Sequence, residues 1–155
     1  MLTWKDVMSF AVNGNPEPDR RVEKTEAEWE KAARGSDGRL YPWGNQEVAG
    51  NLVNYCDNNC LLDWAERNDD DGYKFTAPVG SYPAGASPVG ALDMAGNVWE
   101  WCQDWSAELP KQATDPAGPE RGSPRVVRGG AWSSYARYVR AACRYAYSPG
   151  SRGDD

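Results

Sequence analysis

Two short stretches fix the character of this chain: Gly96-Asn97-Val98-Trp99-Glu100-Trp101 and Arg128-Gly129-Gly130-Ala131-Trp132. A tryptophan needs a large apolar slot and a partner for its indole N–H. Several of them locked beside glycines and a carboxylate imply a rigid, irregular core, and argue against a helix bundle or a plain sheet. The composition agrees, with eight Trp and eight Tyr but two Phe, and 27 Gly and Pro among 155 residues. Such a chain favours turns and loops over long regular elements, and its aromatic content sets it apart from disordered sequences. Its length suits one domain with a real core.

The regular elements that can be read are short. Trp4, Val7, Met8 and Ala11 form the stripe of an amphipathic helix, with Thr3 as N-cap and Gly14 and Pro16 to end it. A second helix is marked by the capping box Thr25-Glu26-Ala27-Glu28, the apolar face Trp29, Ala32 and Ala33, and Gly35 at its end. From residue 36 to 95 turn signals recur, among them Asp37-Gly38, Asp71-Gly72 and Tyr82-Pro83. Asn97–Trp101 and Arg125–Arg128 read as short buried strands, Ala131–Ala142 is ambiguous, and turns return from Tyr147. A loop region that long needs an organiser, and metal ions are the obvious one.

Charge is unevenly spread. The net charge is −6, yet Arg121 to Gly153 holds seven Arg and no acidic residue, while residues 1–120 carry −11. An acidic body with an Arg-rich tail is compatible with nucleic-acid binding. Pairing of these Arg with the body's own carboxylates is the reading preferred here, because no Lys accompanies them. No signal-peptide pattern stands at Met1-Leu2-Thr3-Trp4-Lys5 and no apolar run is long enough to span a membrane, which leaves the compartment open. The chain has no His, which removes the commonest general base and metal ligand together.

Several segments, in order, resemble the formylglycine-generating enzyme (sulfatase-modifying factor) family. They are Thr25-Glu26-Ala27-Glu28-Trp29-Glu30, Tyr41-Pro42-Trp43-Gly44, Ala77-Pro78-Val79-Gly80-Ser81-Tyr82-Pro83, Ala91 through Trp101, and Arg125-Val126-Val127-Arg128-Gly129-Gly130. The resemblance implies an α+β, loop-rich C-type-lectin-like fold with two short helices and short antiparallel strands, as a single domain over 1–155. Strands expected before Trp4 and after Asp155 have no counterpart, so the expectation is a domain shortened at one or both ends.

The resemblance also implies structural calcium. One site would use the Asn51 side chain, the Leu52 carbonyl, Asp71 and the Tyr73 carbonyl; a second would use Asp93, the Gly96 and Val98 carbonyls, and Glu100. All are hard oxygen donors of the kind calcium takes from irregular loops. Asp71 lies in the run Asp69-Asp70-Asp71-Gly72, which repels itself without a cation. The alternatives are a solvated acidic turn and a Glu100 paired with a tail Arg. Cys56 and Cys60 are open to three readings: a short-loop disulfide, half of a zinc site completed by Cys102 and Cys143, or free thiols.

Fold resemblance constrains activity less than scaffold. Oxidases of the family hold copper(I) through two Cys shortly after the Arg-Gly-Gly strand, a soft ion on soft ligands. Alignment on Arg128-Gly129-Gly130 puts those positions near Ser134 and Val139, neither of them Cys. Residues 133–155 are instead rich in Tyr, Ser, Gly and Arg, the composition of adaptable contact loops. They also lack Lys, Glu, Gln, Met and Trp, the residues that adenine-directed mutation of Asn codons does not produce in retroelement variable proteins. The expectation is a non-catalytic module for a protein or small-molecule ligand, with 133–155 as its variable segment. Ser133, Ser134, Tyr135, Arg137, Tyr138, Tyr145 and Tyr147 are its contact residues. The alternative is a copper-dependent oxidase acting on a client-protein cysteine.

Overall fold

The computed structural model describes residues 24–109, 114, 116 and 118–151. The helix expected over Trp4–Ala11 lies outside these residues. The other helix, α1 (Glu26–Arg34), forms as its capping box dictates. The Thr25 hydroxyl accepts from the Glu28 N–H at 3.2 Å, and the Thr25 N–H donates to the Glu28 carboxylate at 2.9 Å. Gly35, with φ +67°, ends the helix and gives its N–H to the Lys31 carbonyl at 2.9 Å. A side chain there would be strained in the left-handed region.

Three antiparallel strands, β1 (Glu100–Trp105), β2 (Arg125–Arg128) and β3 (Arg144–Tyr147), form one sheet in the order β1-β2-β3. β2 is the strand expected from the sequence. β1 starts three residues later than the sequence suggests, for a backbone reason. Asp93, Gly96 and Asn97 all have φ between +57° and +68°, which breaks the extended chain until it has passed Asn97. Gly96 is pressed so close to the Asn54 carbonyl that a Cβ would come within 2.0 Å of it. β3 runs up to Tyr147, just where turns were expected to begin, and the ambiguous stretch before it holds a single 3-10 turn, Ala136–Val139.

One core cluster lies between α1 and the sheet, built from Trp29, Ala33, Met94, Cys102, Val126 and Ala141. A second gathers Leu52, Val53, Tyr55, Ala95 and Val139 under the loops, flanked by the stacked pair Tyr41 and Trp43. The long coil from 36 to 95 is organised by side-chain brackets. Asn97 accepts from the Ala77 N–H at 2.8 Å and donates to the Ala77 carbonyl at 3.1 Å, fastening the coil to the start of β1. Asp71 accepts from the Tyr55 N–H at 3.0 Å and the Tyr73 N–H at 2.8 Å. Cys56 and Cys60 form a disulfide, which decides among the three readings of that pair. Among the described residues no helix is long and apolar enough to cross a membrane.

The tail arginines split in two. Arg128 is buried, with Nη1 2.6 Å from Glu26, Nη2 2.8 Å from Glu30, and its guanidinium over the Trp29 ring. Arg144 meets Glu26 at 2.7 Å. These two tie β2 and β3 to α1, as pairing with the acidic body requires. Glu100 is not one of their partners. It accepts from the Trp29 indole N–H, and burial pushes its carboxyl above the usual range, against the opposing effects of Lys24 and that bond.

Candidate functional site

The 3-10 turn Ala136–Val139 and strand β3 distribute the predicted contact residues over two aromatic groups. The first centres on the turn. Tyr135 and Tyr138 are 36% and 37% exposed, and their ring centroids lie 5.9 Å apart. The Arg137 guanidinium lies against both, 4.1 Å from the Tyr135 centroid and 4.8 Å from that of Tyr138. Val139, fully buried against Leu52 and Val53, is the anchor that holds this turn to the core.

The second group covers the sheet. In the register Trp101↔Val127↔Tyr145 the three side chains share one face, because paired residues point the same way across a sheet. Tyr145 is 55% exposed and touches Trp99 and Tyr147, and Tyr147 in turn meets Trp101 edge-on. Tyr145 is thus presented, while Tyr147 is half-buried among its neighbours.

Ser134 departs from expectation. It is 7% exposed and its hydroxyl accepts from the Ala131 N–H at 3.0 Å, so it closes a turn below the surface instead of meeting a ligand. Ser133 is half-buried at the edge of the first group, and its carbonyl accepts from the Trp64 indole at 3.0 Å.

Two scaffold aromatics that sequence reasoning missed flank the segment. Trp64 stacks on Tyr135 with centroids 5.6 Å apart and planes 23° apart. Phe75 packs edge-on against Trp132 at 5.1 Å, so Trp132 is half-buried instead of belonging to the core proper. Neither Trp64 nor Phe75 belongs to a periodic pattern or to the tail, so only the folded chain brings them into view.

The oxygen sets implied for calcium fall in two loops. In the first, Asn51 is exposed, Leu52 is buried, Tyr73 is exposed and Asp71 is buried. Burial, with repulsion from Asp57 and Asp70 and against the two backbone N–H bonds, pushes the Asp71 carboxyl up to about 6. Asp57 is fully buried nearby and accepts from the Asp71 N–H. None of Asp57, Asp69, Asp70 and Asp71 forms an ion pair among the described residues. In the second, Asp93 accepts from the Gly80 N–H at 2.7 Å and Glu100 from Trp29, while Gly96 and Val98 supply backbone only. No three acidic or thiol side chains converge among the described residues. An ion at either set would therefore draw on amide and carbonyl oxygens beside one or two carboxylates, which is compatible with calcium and foreign to softer metals.

The free thiols do not make a metal pair. Cys102 lies on β1 and Cys143 just before β3, on opposite sides of β2. Two inter-strand spacings put their backbones roughly 10 Å apart. Burial pushes both thiols above their ordinary range, with Arg128 opposing it in each case. Both are held as thiols, which are poor nucleophiles and poor ligands. A separate cleft of about 530 Å³ between α1 and the end of β1 is walled by Glu26, Glu30, Arg34, Asp104, Trp105 and Arg144. None of the predicted contact residues lines it.

Comparison with known proteins places these features. The model of the sulfatase-modifying factor enzyme 1-like domain matches residues 1–155. The formylglycine-generating enzyme of Streptomyces coelicolor is 41% identical over 164 residues, covering 97% of this chain and 48% of that protein. The enzyme of the same name from Thermomonospora curvata is 37% identical over 165 residues, covering 97% and 50%. The chain spans about half the length of these curated relatives. Among solved structures, Treponema denticola variable protein 1 superposes with a TM-score of 0.69 at 34% identity, over 86% of this chain and 44% of that one. PvdO from Pseudomonas aeruginosa gives 0.72 at 27% identity, over 99% and 57%.

Proposed function

This chain belongs to the family of sulfatase-modifying factor enzyme 1-like domains, with their C-type-lectin-like fold, and within it we propose that it is a non-catalytic binding module. Its contact face is Ser133, Tyr135, Arg137 and Tyr138 at the 3-10 turn, together with Tyr145 and Tyr147 on the sheet. The observation that carries this reading is the fate of the two positions where the family resemblance puts copper thiolates. They are Ser134 and Val139, both buried, and each is spent on holding the turn that displays Tyr135, Arg137 and Tyr138.

The likeness to Treponema denticola variable protein 1 supports a further step. Residues 133–155 are then a segment diversified by a retroelement, restricted to the residues that adenine-directed change of Asn codons produces. Calcium completes the proposal, on Asn51, Leu52, Asp71 and Tyr73 and on Asp93, Gly96, Val98 and Glu100. Its role is to pin loops, and its strongest support is the raised Asp71 carboxyl beside the buried Asp57, neither of which has an ion-pair partner among the described residues.

The second reading, a copper-dependent oxidase acting on a client cysteine, is favoured by the 41% identity to a formylglycine-generating enzyme. One experiment separates the two. The protein is loaded with copper(I), exposed to oxygen and a Cys-containing peptide, and assayed for aldehyde with a hydrazide probe. Binding without chemistry predicts no tight copper(I) site and an unconverted peptide. Aldehyde formation would replace the binding reading with the oxidase.

A further inference from the structure

Most arginines among the described residues are already committed. Arg34, Arg39, Arg128 and Arg144 are ion-paired with Glu30, Asp37, Glu26 and Glu30, and Glu26. Arg67 is spent on the carbonyls of Asn58, Cys60 and Leu62, and Arg125 lies over Trp105 and donates to the Gln103 carbonyl. Arg121, Arg137 and Arg140 are different: all three are exposed with no carboxylate partner among the described residues, and Arg137 and Arg140 sit together on one turn. In a chain of net charge −6, two unneutralised cations on one turn are a conspicuous local reversal.

Resting on the binding reading above, we propose that this turn is a carboxylate clamp, and that the partner it takes is an acidic protein segment. Arg137 is the centre. Its guanidinium lies over both the Tyr135 and Tyr138 rings, and its hydrogen bond to the Tyr138 hydroxyl is a long one at 3.4 Å. Contact with the rings leaves the guanidinium without a carboxylate, and its forked N–H groups are the ones that grip a carboxylate in two parallel bonds. The rings have already removed much of the side chain's rotamer freedom, so less is lost on binding. Arg140 is held beside it, donating from Nε to the Arg137 carbonyl at 2.8 Å.

Trp64 builds the wall. It is 42% exposed, stacked on Tyr135, and fixed by its indole bond to the Ser133 carbonyl. The loop that carries it follows the Cys56–Cys60 disulfide, is closed by the Glu66 N–H on the Cys56 carbonyl at 2.9 Å, and is joined to the turn through the Cys56 N–H and the Ser134 carbonyl at 3.0 Å. An aromatic rim of this kind keeps water from a charged contact at its centre. The acidic body selects among anions. The long run of phosphates of a nucleic acid is disfavoured by the acidic remainder of the chain, residues 1–120 carrying −11. A partner with a few carboxylates meets the clamp and little else.

The test is fluorescence anisotropy with a labelled peptide of alternating Glu and Gly, its Gln counterpart, and a single-stranded oligonucleotide of equal length. The Glu peptide should bind at least about tenfold more tightly than the other two, and should weaken severalfold between about 50 and 200 mM NaCl. Arg137→Gln with Arg140→Gln should remove that preference with near-UV circular dichroism and Tm unchanged. Arg137→Lys should not restore it, since an ammonium neither stacks nor forks. The clamp is refuted by equal affinity for the Glu and Gln peptides, by no binding of the Glu peptide up to about 1 mM, by tighter binding of the oligonucleotide, or by a double variant that binds as well as the parent. Binding of the Gln peptide that is lost in Tyr135→Ala but indifferent to the arginines would leave the module standing without the clamp. Failure of the module itself is read separately, as aldehyde in the copper assay.

Discussion

Glu26 is the residue on which the tie between α1 and the closing strands turns, and replacing it with Gln tests that directly. Its side chain is 7% exposed and meets Arg128 at 2.6 Å and Arg144 at 2.7 Å. Arg128 is 1% exposed and its Nε has no hydrogen-bond partner, so this ion already lives with incomplete compensation. With Gln at position 26, Arg128 keeps the Ala141 carbonyl and a single carboxylate, Glu30, which is one-third exposed, and Arg144 loses its carboxylate altogether. Leaving a buried ion uncompensated costs about 3–5 kcal/mol. For a domain of this size, at about 2–4 °C per kcal/mol, Tm should fall by about 6–20 °C.

The reciprocal variant should be milder. Arg128→Met removes the cation, but Glu26 then keeps Arg144 and Glu30 keeps Arg34, so both carboxylates remain paired. The double variant should be more stable than the two separate losses imply, with a coupling of about 1–3 kcal/mol. Urea titration of the four proteins supplies these differences. Because the pair is shielded from solvent, they should persist at about 0.5 M NaCl. A loss below about 1 kcal/mol in Glu26→Gln, strict additivity in the double variant, or erasure of the effect by salt would each refute the account.

Asn97→Ala should cost about 2–5 kcal/mol, because it strands the buried N–H and C=O of Ala77 and puts Ala at φ +63°. Asn97→Gly, which escapes the backbone strain, should lose about 1 kcal/mol less by chemical denaturation. Replacing Cys56 and Cys60 by Ser should lower stability by about 2 kcal/mol, the loop-closure value for so short a ring, and an unchanged urea midpoint would contradict it. If calcium pins the loops, saturation to about a hundred times its Kd should add about 2.7 kcal/mol over EGTA, seen as a rise of roughly 5–10 °C in Tm. Identical melting in calcium and in chelator would remove the ion from the proposal. Tyr145→Ala should leave Tm within about 2 °C, since most of that ring already faces water.

Local chemistry was legible in this sequence and long-range chemistry was not. The capping box at Thr25 and Glu28 and the stop at Gly35 are complete within ten residues, so they could be read outright. The same holds for the strand Arg125–Arg128 and for the commitment of Arg128 and Arg144 to the acidic body, where charge asymmetry was enough, although that asymmetry wrongly drew in Arg140, which is exposed and has no carboxylate partner among the described residues. The start of β1 was missed because its cause is the left-handed backbone at Asn97, which is stabilised by Ala77, twenty residues earlier. Ser134 looked like its neighbours in composition, and only the turn it closes shows that it faces inward. Trp64 reaches Tyr135 across some seventy positions, a separation at which spacing carries no information.

The way the scaffold holds its closing segment bears on how such a segment can evolve. The indole of Trp64 binds the carbonyl of Ser133, the amide of Cys56 binds that of Ser134, and Arg128 binds that of Ala141. Each of these grips main chain, and main-chain groups are the same whatever residue a codon specifies. Tyr135, Arg137, Tyr138 and Tyr145 can therefore be exchanged wholesale without asking the framework to refold around them. Under the proposed binding reading, heritable novelty in recognition would be decoupled here from the risk of losing the protein.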